Sequence, residues 1–220
     1  MKAFAGYDEV KVNNFNNEIL KVGGHYCKIL GVEIKNQTSQ KTGQTYDVLV
    51  LKIDITDPDE QAGFYERKFK RDADQNALNA KWKGYMRITI PTDNSDDSYK
   101  SRFKGFTTSV ENSNPGYKWN WDERTLVGKK VGIIFGMEEF QLPENGKVIS
   151  FVRGRFFGST EKINEAKIPS VKLLDGTYMP YEEYEEKQKN SNKNQNLENS
   201  TQNNNQSEDF STLSDDELPF

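Results

Sequence analysis

From Gly23 the hydrophobic pattern is that of short strands. Residues 25–35 are rich in β-prone side chains, and 36–43 form a polar turn with Lys35 and Lys41 close by. Over 46–56, Leu49, Leu51, Ile53 and Ile55 fall on one face, with Tyr46, Val48, Val50, Lys52 and Asp54 on the other. A hairpin with one buried face is expected. Asp57-Pro58-Asp59 turns the chain, and 64–70 (FYERKFK) reads as a short third strand. Helical spacing follows over 97–110, where Tyr99, Arg102, Phe103 and Phe106 recur at three or four residues. Ser95 or Asp96 can cap its start, and Asn114-Pro115-Gly116 stops it. Residues 130–136 and 147–157 read as a fourth and a fifth strand.

Three strands, one helix and two strands is the element order of an OB-fold, a five-stranded Greek-key barrel with an outer binding groove. The expected class is therefore all-β with one helix over residues 21–160. Residues 1–20, with Phe4, Tyr7 and Phe15, form an N-terminal arm, and 161–187 read as a peripheral coil leading to one short helix.

Composition changes the picture at the far end. Residues 188–207 hold eight Asn and four Gln, with Leu197 the only large apolar side chain. Such a stretch buries too little surface to offset its chain entropy, so 188–213 is expected to be a disordered tether. The net charge of −4 is unevenly spread: 190–220 carry six acids and one Lys, leaving the rest of the chain at +1. Cys27 is the only cysteine, and neither a signal-peptide pattern nor an apolar run of bilayer length is read, so a soluble cytoplasmic protein is expected.

The candidate chemistry is cationic and aromatic. Residues 64–104 hold ten Lys and Arg against six Asp and Glu, with seven aromatic rings between them. Single-strand binding without sequence preference needs cations to follow phosphates and ring faces on which bases stack. Lys81, Trp82, Lys83, Tyr85 and Arg87 supply both in one short stretch, Trp82 being either a stacking ring or a cap on the barrel mouth. On the fifth strand, strict alternation puts Phe151, Arg153, Arg155 and Phe157 on one face and turns Val152, Gly154 and Phe156 inward. The two arginines are read as ligand contacts, with cross-strand ion pairs to Glu138 or Glu139 as the alternative. Tyr46 and Lys52 on the second strand, and Tyr65 and Arg67 on the third, extend the groove or form an ordinary solvated face. Trp119 and Trp121 read as a lid on the core.

Enzymatic readings have little to stand on. His25 and Cys27 are the only residues of their types, too few for a Cys/His zinc site, and no phosphate loop or nucleophile elbow is present. No cofactor and no metal is expected. Asp54, Asp57, Asp59 and Glu60 are the residues a metal-dependent nuclease would use, and a solvated turn is the competing reading.

The run Ser214-Asp215-Asp216-Glu217-Leu218-Pro219-Phe220 reads as a peptide ligand, its carboxylates steering and Phe220 anchoring in an apolar slot with a basic rim. It resembles the acidic Pro-Phe tip of bacterial-type single-stranded DNA-binding proteins, which recruits replication, recombination and repair enzymes. The block Phe103-Lys104-Gly105-Phe106, then Val110 through Glu123, then Leu126-Val127-Gly128-Lys129, is similar to phage-encoded single-stranded DNA-binding proteins of Gram-positive hosts. The resemblance implies an OB-fold that coats single strands, with Asp215, Asp216, Glu217, Leu218, Pro219 and Phe220 binding partner enzymes. A recombination mediator or annealing protein uses the same groove, and a homo-oligomer is compatible with the sequence.

Overall fold

The computed structural model describes residues 18–198 apart from 41 and 79, and over that span the protein is mostly β-sheet with a few helices. Most of the N-terminal arm, the tether beyond 198 and the tip at 214–220 lie outside the described residues.

Strands β1 (Gly23–Thr38) and β2 (Thr45–Ile55) form the expected antiparallel hairpin, paired from Cys27 opposite Ile55 to Thr38 opposite Thr45 with a register shift between Ile29 and Gly31. The expectation of one buried face does not hold. Val48, Val50 and Asp54 on the second face are buried along with Leu49, Leu51 and Ile53. The reason is position: β2 lies inside the sheet, between β1 and β3 (Tyr85–Thr89), and helix α1 (Phe64–Gln75) starts against Asp54.

Residues 64–70 are thus helix, where the sequence pattern suggested a strand. Phe64, Tyr65, Lys68 and Phe69 turn inward while Glu66, Arg67 and Lys70 are exposed, a helical spacing that a seven-residue window confuses with alternation. Glu66 and Lys70 pair at 2.6 Å, one turn apart. The start signal is not local. Gly63, at φ 75°, offers no side chain, and Asp54 of β2 accepts the N–H groups of Tyr65 at 2.9 Å and Glu66 at 3.1 Å. The true third strand, β3, pairs Tyr85–Thr89 with Val48–Lys52.

Helix α2 (Asp97–Ser113) forms as expected, burying Phe103, Phe106 and Val110. Asn114 closes it, donating from Nδ2 to the carbonyls of Val110 and Lys130, both at 2.7 Å. In the turn that follows, Trp119 packs against the core, but Trp121 is 72% exposed and lies flat on Phe103, with ring centroids 5.9 Å apart. Trp121 also adopts φ 65°, which few non-glycine residues do. Only Trp119 serves as the expected lid.

Strands β4 (Lys130–Gln141) and β5 (Val148–Gly158) pair along their length. The sheet runs β3-β2-β1-β4, with β5 on the free edge of β4. The segment expected to be peripheral contributes to this sheet. A 3-10 turn at Thr160–Glu165 buries Ile163 over Gly24 and Gly132, where any Cβ would collide. Strand β6 (Val171–Lys172) then joins β4 in parallel, and β7 (Tyr178–Met179) folds back on β6. Helix α3 (Tyr181–Glu198) begins where the short peripheral helix was expected and runs on through the first part of the expected tether, so the described residues hold three α-helices rather than two. No helix among them is long and apolar enough to cross a membrane.

Candidate nucleic-acid interface

Strands β3 and β5 are edge strands that, among the described residues, do not pair with each other. They nevertheless come close. A Cβ on Gly154 would stand 2.2 Å from Sδ of Met86, so the approach depends on glycine at that position. Outward of this contact the seam opens into a groove of about 600 Å3 between residues 83–88 and 151–157. Arg102, Gly105 and Phe106 of α2 complete the rim, together with Lys172 of β6 and Tyr178 of β7.

Charge in the groove is one-sided. Among the described residues that line it, six cations, Lys83, Arg87, Arg102, Arg153, Arg155 and Lys172, stand with a single carboxylate, that of Glu138. Glu138 is buried, and three of the six converge on it: Lys172 at 2.5 Å, Arg155 at 3.6 Å and Arg153 at 3.7 Å. The ion-pair reading of the arginines thus holds for Glu138, and both side chains also line the groove. Glu139 is occupied elsewhere, accepting the backbone N–H of Leu174 at 3.2 Å. Tyr85, Phe156 and Tyr178 bring exposed rings to the same groove.

Phe157 departs from the face predicted for it. The β4–β5 register shifts so that Gly154 lies opposite Phe135 and Phe156 opposite Ile134, leaving Arg155 as the extra residue of a bulge. Beyond the bulge the alternation reverses. Phe157 packs inward on Phe106 at 4.7 Å between ring centroids, as groove floor, while Phe156 is 53% exposed.

Of the other predicted residues, Lys83, Tyr85 and Arg87 line the groove from β3 and the segment entering it. Tyr65 reaches it from α1 rather than from a strand, with its buried ring under Gly84. Arg67, also on α1, points away to Glu18 at 2.8 Å and to the carbonyl of Ala62. Trp82 caps the core, donating from Nε1 to the carbonyls of Ile53 and Gly84, both at 3.1 Å, with Lys52 Nζ 4.4 Å above its ring. Lys81 is exposed beside it, and Tyr46 pairs with Gln37 near the hairpin turn; neither lines the groove.

Arg102, Phe156, Lys172 and Tyr178 were not among the sequence candidates. Arg102 was within reach, because positions 102, 105 and 106 share one side of a helix. Phe156 required knowledge of the bulge, and Lys172 and Tyr178 depend on a hairpin whose attachment to β4 leaves no periodic signal.

The acidic turn after β2 is structurally engaged. Burial pushes the Asp54 carboxyl up from its ordinary value, while the N–H groups of Tyr65, Ile55 and Glu66 pull the other way. Asp59 accepts from Tyr26 N–H at 3.1 Å and Gln61 N–H at 2.9 Å and faces Nδ1 of His25 at 3.1 Å. Glu60 pairs with Lys21 at 2.7 Å. No cluster of three or more His, Cys, Asp or Glu among the described residues could hold a metal ion. Cys27 is fully buried, which pushes its thiol well above the usual range.

No protein-family model matches the chain, and no curated protein does either.

Proposed function

We propose that the chain is a non-catalytic, sequence-independent single-stranded DNA-binding protein. In this reading the five main strands and α2 form an OB-fold, as in the phage-encoded proteins that the block from Phe103 to Lys129 resembles. The single observation that carries the proposal is the groove at the β3–β5 seam, where six cations and one carboxylate are interleaved with exposed rings. Arg and Lys take phosphates, while Tyr85 and Phe156 offer π-faces that any base can use. Duplex DNA keeps its bases stacked and presents no free faces to such rings, so a preference for single strands follows. The tip at 214–220 is proposed to recruit replication, recombination or repair enzymes in the host cytoplasm, through carboxylates and the Phe220 ring.

Anisotropy titration of labelled oligo-dT, over several lengths and salt concentrations and with a duplex competitor, tests this. Expected are affinity that falls steeply with salt and single strands favoured over duplex. Equal affinity for duplex overturns the reading. Cleavage of the strand in magnesium would place the protein among nucleases instead.

A further inference from the structure

We infer that the hairpin formed by β6 and β7 builds a separate nucleotide subsite at the margin of the groove. Tyr178 supplies its stacking face, and Lys172 with Arg155 receives the adjoining phosphate. The inference rests on the reading of the groove as a single-strand site and adds to it an element outside the five main strands.

Two paired two-residue strands do not hold themselves together in water. This hairpin is fastened at its root and at its tip. Val171 is fully buried, and Lys172 lies opposite Glu138 of β4. At the turn, Asp175 Oδ1 accepts from the N–H and the hydroxyl of Thr177, at 2.8 and 2.7 Å, and Gly176 takes φ 84°. Glu139 then anchors the hairpin by accepting the N–H of Leu174.

What is held in place is an exposed ring beside clustered positive charge. Tyr178 is 61% exposed, and the Arg155 guanidinium lies 6.0 Å from its ring centroid. Lys172, Arg155 and Arg153 converge on the carboxylate of Glu138 at 2.5, 3.6 and 3.7 Å, so cations are clustered beside the ring. Glu138 keeps the three cations close together in advance, a positioning role that lowers the cost of ordering long side chains when a phosphate arrives. A base on Tyr178 and its phosphate at Lys172 and Arg155 use both features together. A peptide that carries carboxylates and no ring would use only the charge.

Tyr178→Ala, Tyr178→Phe and Lys172→Gln in the full chain separate the possibilities. With labelled oligo-dT, Tyr178→Ala is expected to weaken binding of long strands about 5- to 100-fold, with Tyr178→Phe near wild type. Lys172→Gln is expected to flatten the salt dependence by about one phosphate contact. Photo-crosslinking of iodouridine-substituted strands is expected to label residue 178. If wild type binds single strands while Tyr178→Ala titrates identically at every length and residue 178 is unlabelled, the subsite is wrong and the groove reading survives. If wild type ignores single strands, both fall.

Discussion

Asp54 Oδ1 accepts the backbone N–H of Tyr65 at 2.9 Å, so a strand residue caps a helix that begins ten positions later. The same carboxylate takes the N–H groups of Ile55 and Glu66. Truncation in Asp54→Ala would leave buried donors without partners, which costs about 1 to 3 kcal/mol. Chemical denaturation should report that loss, with Asp54→Asn milder because an amide oxygen still accepts. A variant as stable as wild type would show that α1 starts without the cap.

The Trp119 turn should loosen in acid. Glu111 accepts the N–H of Trp119 at 2.9 Å, and that bond holds its carboxyl below the usual range; Arg124 does the same for Asp122, chiefly by hydrogen bonding. For both groups the folded value lies below the unfolded one. Their contribution is present above about pH 4 and lost as pH falls through the lower folded values. Asp54, raised by burial, works in the opposite sense and adds nothing to acid loss. Tryptophan emission should shift on acidification, and Glu111→Gln should shrink the step; a titration identical to wild type would show that the Glu111 bond contributes nothing to it.

Replacing both Arg153 and Arg155 with Ala should weaken binding to every single strand and lower the salt slope by roughly 1 to 2, because phosphate contacts carry no sequence information. Lys172 stays with Glu138 at 2.5 Å, so the buried carboxylate is not orphaned and the fold should survive. An unchanged titration in a folded variant would place the DNA elsewhere.

The elements carried by long periodic runs were legible from sequence: β1, β2, α2, β4 and β5 lie close to where alternation and helical spacing put them. What failed was short or non-local. FYERKFK satisfies two periodicities in seven residues, and the cap that decides between them sits on another strand. Arg153 and Arg155 could be picked out from the strand pattern, but the bulge at Arg155 exchanges the roles of Phe156 and Phe157 through a register choice made by β4. Trp82 was open to reading as a stacking ring or as a cap, and the Ile53 carbonyl that helps hold it as a cap comes from β2, far away in sequence.

Residues 199–220 contain five acids and no Lys or Arg. Joined through α3 to the domain that carries the cationic groove, they should compete with DNA for the same side chains, most strongly at low salt. Truncation after Glu198, which spares α3, should leave single-strand affinity equal or higher. Phe220→Ala should leave DNA binding nearly untouched and abolish capture of partner enzymes, because the ring is the proposed anchor. Identical captures by wild type, Phe220→Ala and the truncation would reduce the tip to a solubilising tail.

The unpaired seam has a consequence for how the protein behaves when no ligand is present. Two sheet edges that leave backbone donors and acceptors unpaired invite strand addition from neighbouring molecules, the first step toward sheet-like aggregates. Among the described residues β3 and β5 are such edges, and Lys83, Arg87, Arg153 and Arg155 stand along them. Like charges on approaching copies repel, so the cations guard against self-association as well as lining the groove. The double arginine variant should therefore scatter light at concentrations where wild type stays clear, and saturating it with single strands should not fully restore clarity.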